Sequence, residues 1–434
     1  MWISSHHRRQ PAALVVLAFA VLALTAGGCS ASASTSSAVS GSGTTAPTDA
    51  IPAFYHPPTP LPEAPAGTLI RSQRVKGVRG VPAGATVWRI LFHSTTIYGA
   101  DLAESGYVVA PGTSAPAAGF PVIAWAHGTT GFAEPCAPSL FTDAGGGTRP
   151  YLLPGLDRYL RAGFVVAAAD YQGQGVADGV HPYLLGASEG RAVLDAARAT
   201  RHMTALRTAN AVVIYGHSQG GHAALFAGEM ASGYAPDLHI VGVIAAAPAT
   251  GLSSLISVIG TPVGRRFLSF SIPAAYSWTQ TYNDLPSADV FTPAGARFAT
   301  SEVTKGCLGA VTSAITSHHV TPGGIFLSSA ETNPVVVAHA KVNDPGNVRT
   351  PVPMLVLQGT ADDTVPPSLT DVFVTGKACQ IGDSVDYLHV IGATHATVVY
   401  VSAPTILQWM EGRLVGGQAQ STCGRPSGVA ILAP

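Results

Sequence analysis

The strongest constraint on the fold is a succession of short, mainly apolar segments separated by longer stretches with helical spacing. Residues 122–126, 165–169, 211–215, 240–247, 354–358 and 385–390 are apolar but for Gln358, Asp386 and His389, without the alternation of a half-exposed strand. That pattern belongs to strands buried on both faces. Alanine-rich helical patterns at 191–204 and 222–231 fall between some of them. Strands joined by helices imply a mostly parallel sheet covered on both sides, an α/β class. Residues 86–93 and 106–110 precede this series and read as an antiparallel meander, so eight strands are expected in all.

One interval breaks the rhythm. Residues 251–350 are rich in Ser, Thr, Pro and Gly, with scattered apolar and aromatic positions. A structureless loop of that length is improbable inside a domain. The interval therefore reads as an inserted, largely helical cap over one edge of the sheet, against the alternative of two ordinary crossovers with long loops. The expected organisation places the two parts of the sheet domain at 68–250 and 351–434, the latter including a C-terminal tail.

The N-terminus reads as an address. His6, His7, Arg8 and Arg9 precede an apolar run at 12–24, which is short against the ~20 residues that cross a bilayer. Residues 1–28 thus form an export signal. Ala26-Gly27-Gly28-Cys29 resembles a bacterial lipobox, in which cleavage before Cys29 frees it to carry acyl chains. Leucine is usual where Ala26 stands, and simple secretion is the alternative. Residues 29–67 are rich in Ser, Thr and Pro and read as a flexible tether between the anchor and the folded domain.

Charge narrows the classes further. Only 11% of the 434 residues are charged, with 23 basic against 24 acidic side chains. There is no basic excess of the kind nucleic-acid binding requires. Beyond Cys29, the cysteines are Cys136, Cys307, Cys379 and Cys423, an even set in an exported chain and so candidates for disulfides. Of the three possible pairings, Cys136 with Cys307 and Cys379 with Cys423 join segments adjacent in the expected fold. No C-x2-C pair is present, and zinc is not expected.

The pattern G-x-S-x-G marks a strand-to-helix turn that presents a nucleophilic serine. With 48 glycines in the chain the bare pattern carries little weight, and it occurs twice, around Ser188 and around Ser218. Context separates the two. Ser218 follows the apolar strand 211–215 and opens a helix. Ser188 follows a proline-containing turn and reads as a helix N-cap.

A serine hydroxyl needs a general base and a group that orients that base. In this fold class the order along the chain is serine, acid, histidine. Asp362 follows the strand 354–358 and His395 follows 385–390. Both therefore belong at the carboxyl end of the sheet, where ligands of open α/β sheets collect. Asp362 is preferred to its neighbour Asp363, and His395 to His127, His217 and His222, which belong to other motifs. The oxyanion of a tetrahedral intermediate needs two N–H donors. The backbone of Gln219 supplies one, and the turn His127-Gly128-Thr129-Thr130-Gly131 supplies the other, from Thr129 or, second, Gly128.

The segments Trp125 through Gly131, Cys136-Ala137-Pro138-Ser139, Asp170-Tyr171-Gln172-Gly173-Gln174-Gly175, Tyr215 through Gly221 and Gln358 through Asp363 together resemble the secretory lipase family, lipase A type, of α/β-hydrolases. The similarity runs over about 70–413. It implies hydrolysis of acylglycerols or simpler carboxylic esters, a helical cap forming an acyl tunnel, and no cofactor or metal. It carries Ser218, Asp362 and His395 over as the triad and 127–131 as the oxyanion turn. Asp170 would be structural, with an accessory role as its second reading. The expected partner is a lipid or small ester, with membrane contact through the N-terminal anchor. The same triad serves acyltransferases and serine peptidases, and a non-catalytic lipid-binding lipoprotein is the alternative outside enzymes.

Overall fold

The computed structural model describes residues 51–141, 151–424 and, as backbone, the strand at 429–432. The expected signal at 1–28, Cys29 and the tether up to residue 50 lie outside the described residues.

The strands are β1 (Leu69–Val75), β2 (Thr86–Thr95), β3 (Asp101–Ala110), β4 (Phe120–Ala126), β5 (Val165–Ala169), β6 (Thr208–His217), β7 (His239–Ala246), β8 (Met354–Gly359), β9 (Val385–Ile391) and β10 (Val429–Leu432). They form one sheet in the order β1-β2-β3-β5-β4-β6-β7-β8-β9-β10. β1, β2, β3 and β5 pair antiparallel in turn, and the pairs from β5 through β10 are parallel. The sheet thus has ten described strands, not eight. β1 carries Arg71, Gln73 and Arg74, a polar edge without the buried-strand pattern, and β10 lies in the expected tail.

The helices are α1 (Leu156–Arg161), α2 (Gly186–Arg201), α3 (Gln219–Tyr234), α4 (Leu252–Ile256), α5 (Leu268–Thr281), α6 (Pro293–Val303), α7 (Leu308–Ser317), α8 (Pro322–Ile325), α9 (Pro334–Val342), α10 (Pro367–Phe373), α11 (Val398–Val401) and α12 (Ala403–Leu414). Because successive side chains on a strand point to opposite faces, each central strand feeds two cores. Val122, Ala124, Val212, Ile214, Val243 and Val356 pack with α2, α3 and α10. Ile123, Trp125, Val213, Tyr215, Ile244 and Leu357 pack with α1, α11 and α12. α4 to α9, between β7 and β8, build a third core of their own around Ile272, Trp278, Phe291 and Phe326, against which Phe132, Tyr183 and Leu185 pack.

Strand order sets where a ligand can bind. From β4 the chain moves to β5 on one side, and from β6 it moves to β7 on the other. The carboxyl ends of adjacent β4 and β6 therefore flank a topological switch point, where a crevice opens. The turn at 127–131 and Ser218 both sit there. Two disulfides, Cys136–Cys307 and Cys379–Cys423, tie this frame together. The first joins the segment after β4 to the N-cap of α7.

Residues 51–67 correct the expected tether, because they belong to the folded unit. Tyr55 is fully buried and Phe54 nearly so, packed with Leu91, Ala103 and Val176. The Tyr55 hydroxyl shares a 2.8 Å hydrogen bond with Ser139 Oγ, and the Gly67 N–H donates to the His93 carbonyl. Two adjacent aromatic side chains outweigh the Pro-rich surroundings that suggested a spacer. Replacing Tyr55 with Ala should lower the unfolding free energy by about 3–5 kcal/mol, read by urea denaturation. A loss under about 1 kcal/mol would show that this segment is not part of the cooperative unit.

Candidate active site

β6 ends at His217 and α3 begins at Gln219, leaving Ser218 alone in the turn with φ 59° and ψ −120°. A non-glycine residue at positive φ costs about 1–3 kcal/mol, so the surroundings must hold it. The Ser218 N–H donates to the Ala246 carbonyl, and the Ser218 carbonyl accepts from the N–H groups of His222 and Ala249. The flanking glycines are steric necessities. A Cβ on Gly216 would lie 1.8 Å from the Gly220 carbonyl oxygen, and one on Gly220 would lie 1.9 Å from that of Ala126. The close approach brings the start of α3 against the end of β4. Among the described residues the Ser218 hydroxyl makes no hydrogen bond.

Asp362 and His395 meet across the loops after β8 and β9. His395 Nδ1–H donates to Asp362 Oδ2 at 2.8 Å. The same oxygen accepts from Gln358 Nε2 at 2.9 Å, and Oδ1 accepts from the N–H groups of Thr364 and Val365. Burial acts to raise the Asp362 carboxyl, but the hydrogen bond and charge of His395, with the two amides, outweigh it and hold the group below the usual carboxylate value. Asp363 is exposed and engages Arg266 only through its backbone carbonyl.

His217 serves His395 from the elbow side. Its Nε2–H donates to the His395 carbonyl at 2.9 Å, and its Nδ1 accepts from the Tyr151 hydroxyl at 3.2 Å. The two imidazole rings lie 4.8 Å apart. Burial pushes His217 down to about 3, with the neighbouring His395 adding to the effect, so it is a neutral, tautomerically fixed support. His395 is thus held by its ring from Asp362 and by its backbone from the residue preceding Ser218.

The turn at 127–131 lies beside the elbow. His127 Nδ1–H donates to the Gly128 carbonyl at 2.7 Å, and the His127 carbonyl accepts from Tyr171. Burial pushes the His127 imidazole down to about 4. Thr129 Oγ1 shares a 2.8 Å hydrogen bond with the Tyr183 hydroxyl. At Gly128 any Cβ would come within 2.6 Å of the Tyr151 hydroxyl. Gln219, whose N–H is the other expected donor, has its side chain held by Glu189 and His181.

Other residues fall elsewhere. Asp170 is buried and accepts from Ser105, from the Ser139 N–H and from the Ser139 hydroxyl. Burial lifts its carboxyl to about 6 against those hydrogen bonds, and no hydrogen bond joins it to His395 among the described residues. Ser188 is not an N-cap: α2 starts at Gly186 with Leu185 at the cap position, and Ser188 sits in the first turn. Glu189, one residue on, accepts from the Leu184 N–H at 2.8 Å, in the turn that leads into the helix. Gln358, Tyr151, Glu189 and the supporting role of His217 are not marked by any periodicity, and only the tertiary contacts disclose them. No cluster of three or more His, Cys, Asp or Glu suited to a metal occurs among the described residues.

Ser218 opens onto a cavity whose walls come mostly from the segment between β7 and β8. Leu252, Phe267, Phe270, Trp278 and Phe326 line it, with Val365 from the Asp362 loop. The arrangement provides a strained serine, an aspartate-oriented histidine, a buried glycine-containing turn and an apolar chamber.

Comparison with known proteins finds lipases. The sequence model of the secretory lipase family matches residues 153–422. Lipase A of Arthroderma benhamiae is 25% identical, covering 85% of this chain and 80% of its own length. A probable inactive lipase of Mycobacterium tuberculosis is 30% identical over 45% of this chain and 44% of its own. The crystal structure of Candida antarctica lipase A in its closed state superposes with a TM-score of 0.74 at 19% identity, covering 88% of this chain and 89% of that one.

A group whose folded pKa is depressed adds stability above its unfolded pKa and loses it as pH falls through the folded value. Asp362 should therefore stabilise the fold above about pH 4, with the contribution disappearing below. In urea denaturation at stepped pH, Asp362→Asn should show a shallower acid-side decline than the wild type between about pH 4 and pH 2. Superimposable declines would contradict the depressed carboxyl.

Proposed function

This chain belongs to the secretory lipase family, and on that premise we propose that it is an exported serine lipase or esterase whose triad is Ser218, His395 and Asp362. The observation that carries the reading is the 2.8 Å hydrogen bond from His395 to Asp362, beside a serine held in the elbow conformation at the mouth of an apolar cavity.

In the proposed reaction Ser218 Oγ attacks the ester carbonyl while His395 Nε2 takes its proton. Asp362 keeps the Nδ1–H tautomer and stabilises the imidazolium. The oxyanion receives hydrogen bonds from the N–H of Gln219 and from the 127–131 turn, at Thr129 or Gly128. Collapse releases the alcohol, which leaves with the proton from His395. Water, deprotonated by the same histidine, then frees the acid and restores the serine.

The cavity supports an acyl substrate of appreciable length. Its lining is almost wholly apolar, with aromatic and aliphatic side chains along its length. We read the helices between β7 and β8 as a cap that receives the acyl chain. A non-catalytic lipid binder would use the same cavity but has no need for the oriented histidine.

Membership of the family supports export, and Ala26-Gly27-Gly28-Cys29 supports attachment through an acylated Cys29. The full-length chain expressed in a bacterial host should fractionate with membranes and carry fatty acid, and Cys29→Ser should abolish fatty-acid incorporation. Release without the substitution would favour simple secretion.

On p-nitrophenyl esters from two to sixteen carbons, the wild type should prefer the longer chains. Ser218→Ala should lower kcat by about 10⁴-fold or more while retaining the fold, read by steady-state kinetics with thermal unfolding alongside. Activity retained in the pure variant would exclude Ser218 as nucleophile.

A further inference from the structure

The second G-x-S-x-G segment holds a residue with no place in the triad. Glu189, in the first turn of α2, is fully buried. Its Oε1 accepts from the Leu184 N–H and from Gln219 Nε2, both at 2.8 Å, and its Oε2 accepts from His222 Nδ1–H at 2.8 Å. His222 lies one turn into α3, also fully buried. Its other nitrogen faces the Asn343 carbonyl oxygen at 2.7 Å. Both nitrogens of His222 therefore face oxygens, and with Glu189 ionised both of these can only accept. A neutral imidazole carries one proton and would set a lone pair against one of them. The geometry requires both protons, and hence a buried imidazolium–carboxylate pair.

The surrounding groups agree. Burial works against the charge on His222, but Glu189, the Asn343 carbonyl and the nearby Asp344 outweigh it and raise the imidazole above its ordinary value. Glu229, on α3 itself, also faces His222 electrostatically. His181, which meets the pair through Gln219, is pushed down to about 3 by burial and accepts the Gln219 amide as a neutral ring.

The pair reaches the site in two directions. Through Glu189 it grips the side chain of Gln219, the residue immediately after the nucleophile. Through Asn343 it reaches the C-cap of α9, the last helix before β8. The Asn343 side chain continues the link by accepting from the Gly186 N–H and donating to the hydroxyl of Tyr282.

We propose that His222, held as a cation by Glu189, is a positioning residue: the pair orients Gln219 as oxyanion donor and couples that donor to the helices that wall the cavity. The proposal rests on the reading of Ser218 as nucleophile and Gln219 as donor. A preorganised donor loses effect when displaced by a fraction of an ångström. Loss of the pair should therefore act on the transition state and leave ground-state binding of the ester nearly unchanged.

The test compares the wild type with Glu189→Gln and with the neutral double variant Glu189→Gln/His222→Gln, which keeps hydrogen-bonding groups at both positions should the single variant fail to fold. Expected is a fall in kcat of about tenfold or more with KM within about twofold. Affinity for a trifluoromethyl ketone, which forms a tetrahedral oxyanion on the serine, should fall in step with kcat/KM. A folded double variant with wild-type kcat, or a loss confined to KM with unchanged ketone affinity, would overturn the proposal. An inactive wild type would instead overturn the underlying reading. Independently of activity, nitrogen-15 NMR of histidine-labelled wild type should show the His222 ring protonated at both nitrogens at about pH 8, well above the ordinary histidine value. A neutral tautomer there would also overturn it.

Discussion

The positive φ at Ser218 is the constraint on which the site depends. It turns the chain between β6 and α3 with no residue to spare, and it is tolerable only because Gly216 and Gly220 permit backbone contacts under 2 Å from where a Cβ would stand. Those contacts draw α3 against the end of β4. The same compression that exposes the serine therefore also brings the N-terminus of α3 and the turn at 127–131 together. Strain at one residue and preorganisation of the proposed oxyanion donors have a common origin.

Around the elbow, polar groups are buried with their partners supplied from different strand ends. Asp362 is satisfied by two amides, Gln358 and His395. His395 is fixed at its ring and at its carbonyl by separate elements. His217, His181 and His127 are all pushed down by burial, so they act as neutral hydrogen-bonding supports, while His222 stands apart through its pairing with Glu189. An imidazole thus takes opposite roles within one small region according to whether its second nitrogen meets a donor or an acceptor.

The helices between β7 and β8 have their own apolar core yet are tied to the sheet at chemically distinct points. Cys136–Cys307 links them to the segment after β4. Ser277 and Trp278 donate to the Tyr183 carbonyl, and Asn343 accepts His222. The cavity is enclosed on one side by these helices and reaches Ser218 and Val365 on the other, so its shape depends on the ties as well as on the apolar lining.

Local pattern alone determined the parallel strands, because residues buried on both sheet faces are apolar at successive positions, as in 165–169 and 354–357. It also marked Ser218, Asp362 and His395 as candidates, since each follows such a strand and the strand ends converge. It missed β1, an edge strand whose Arg71, Gln73 and Arg74 interrupt any apolar run, and the four-residue edge strand β10, and it misread 51–67, where Phe54 and Tyr55 are buried among prolines. The second G-x-S-x-G drew attention to Ser188, while its functional content lay one residue later in Glu189. That residue's meaning comes from Gln219 and His222, thirty and thirty-three positions away. Sequence periodicity records which faces are buried. The protonation of His222, the support of His395 by His217 and the walls of the cavity were decided only by tertiary structure, because hydrogen-bond complementarity between distant segments leaves no local pattern.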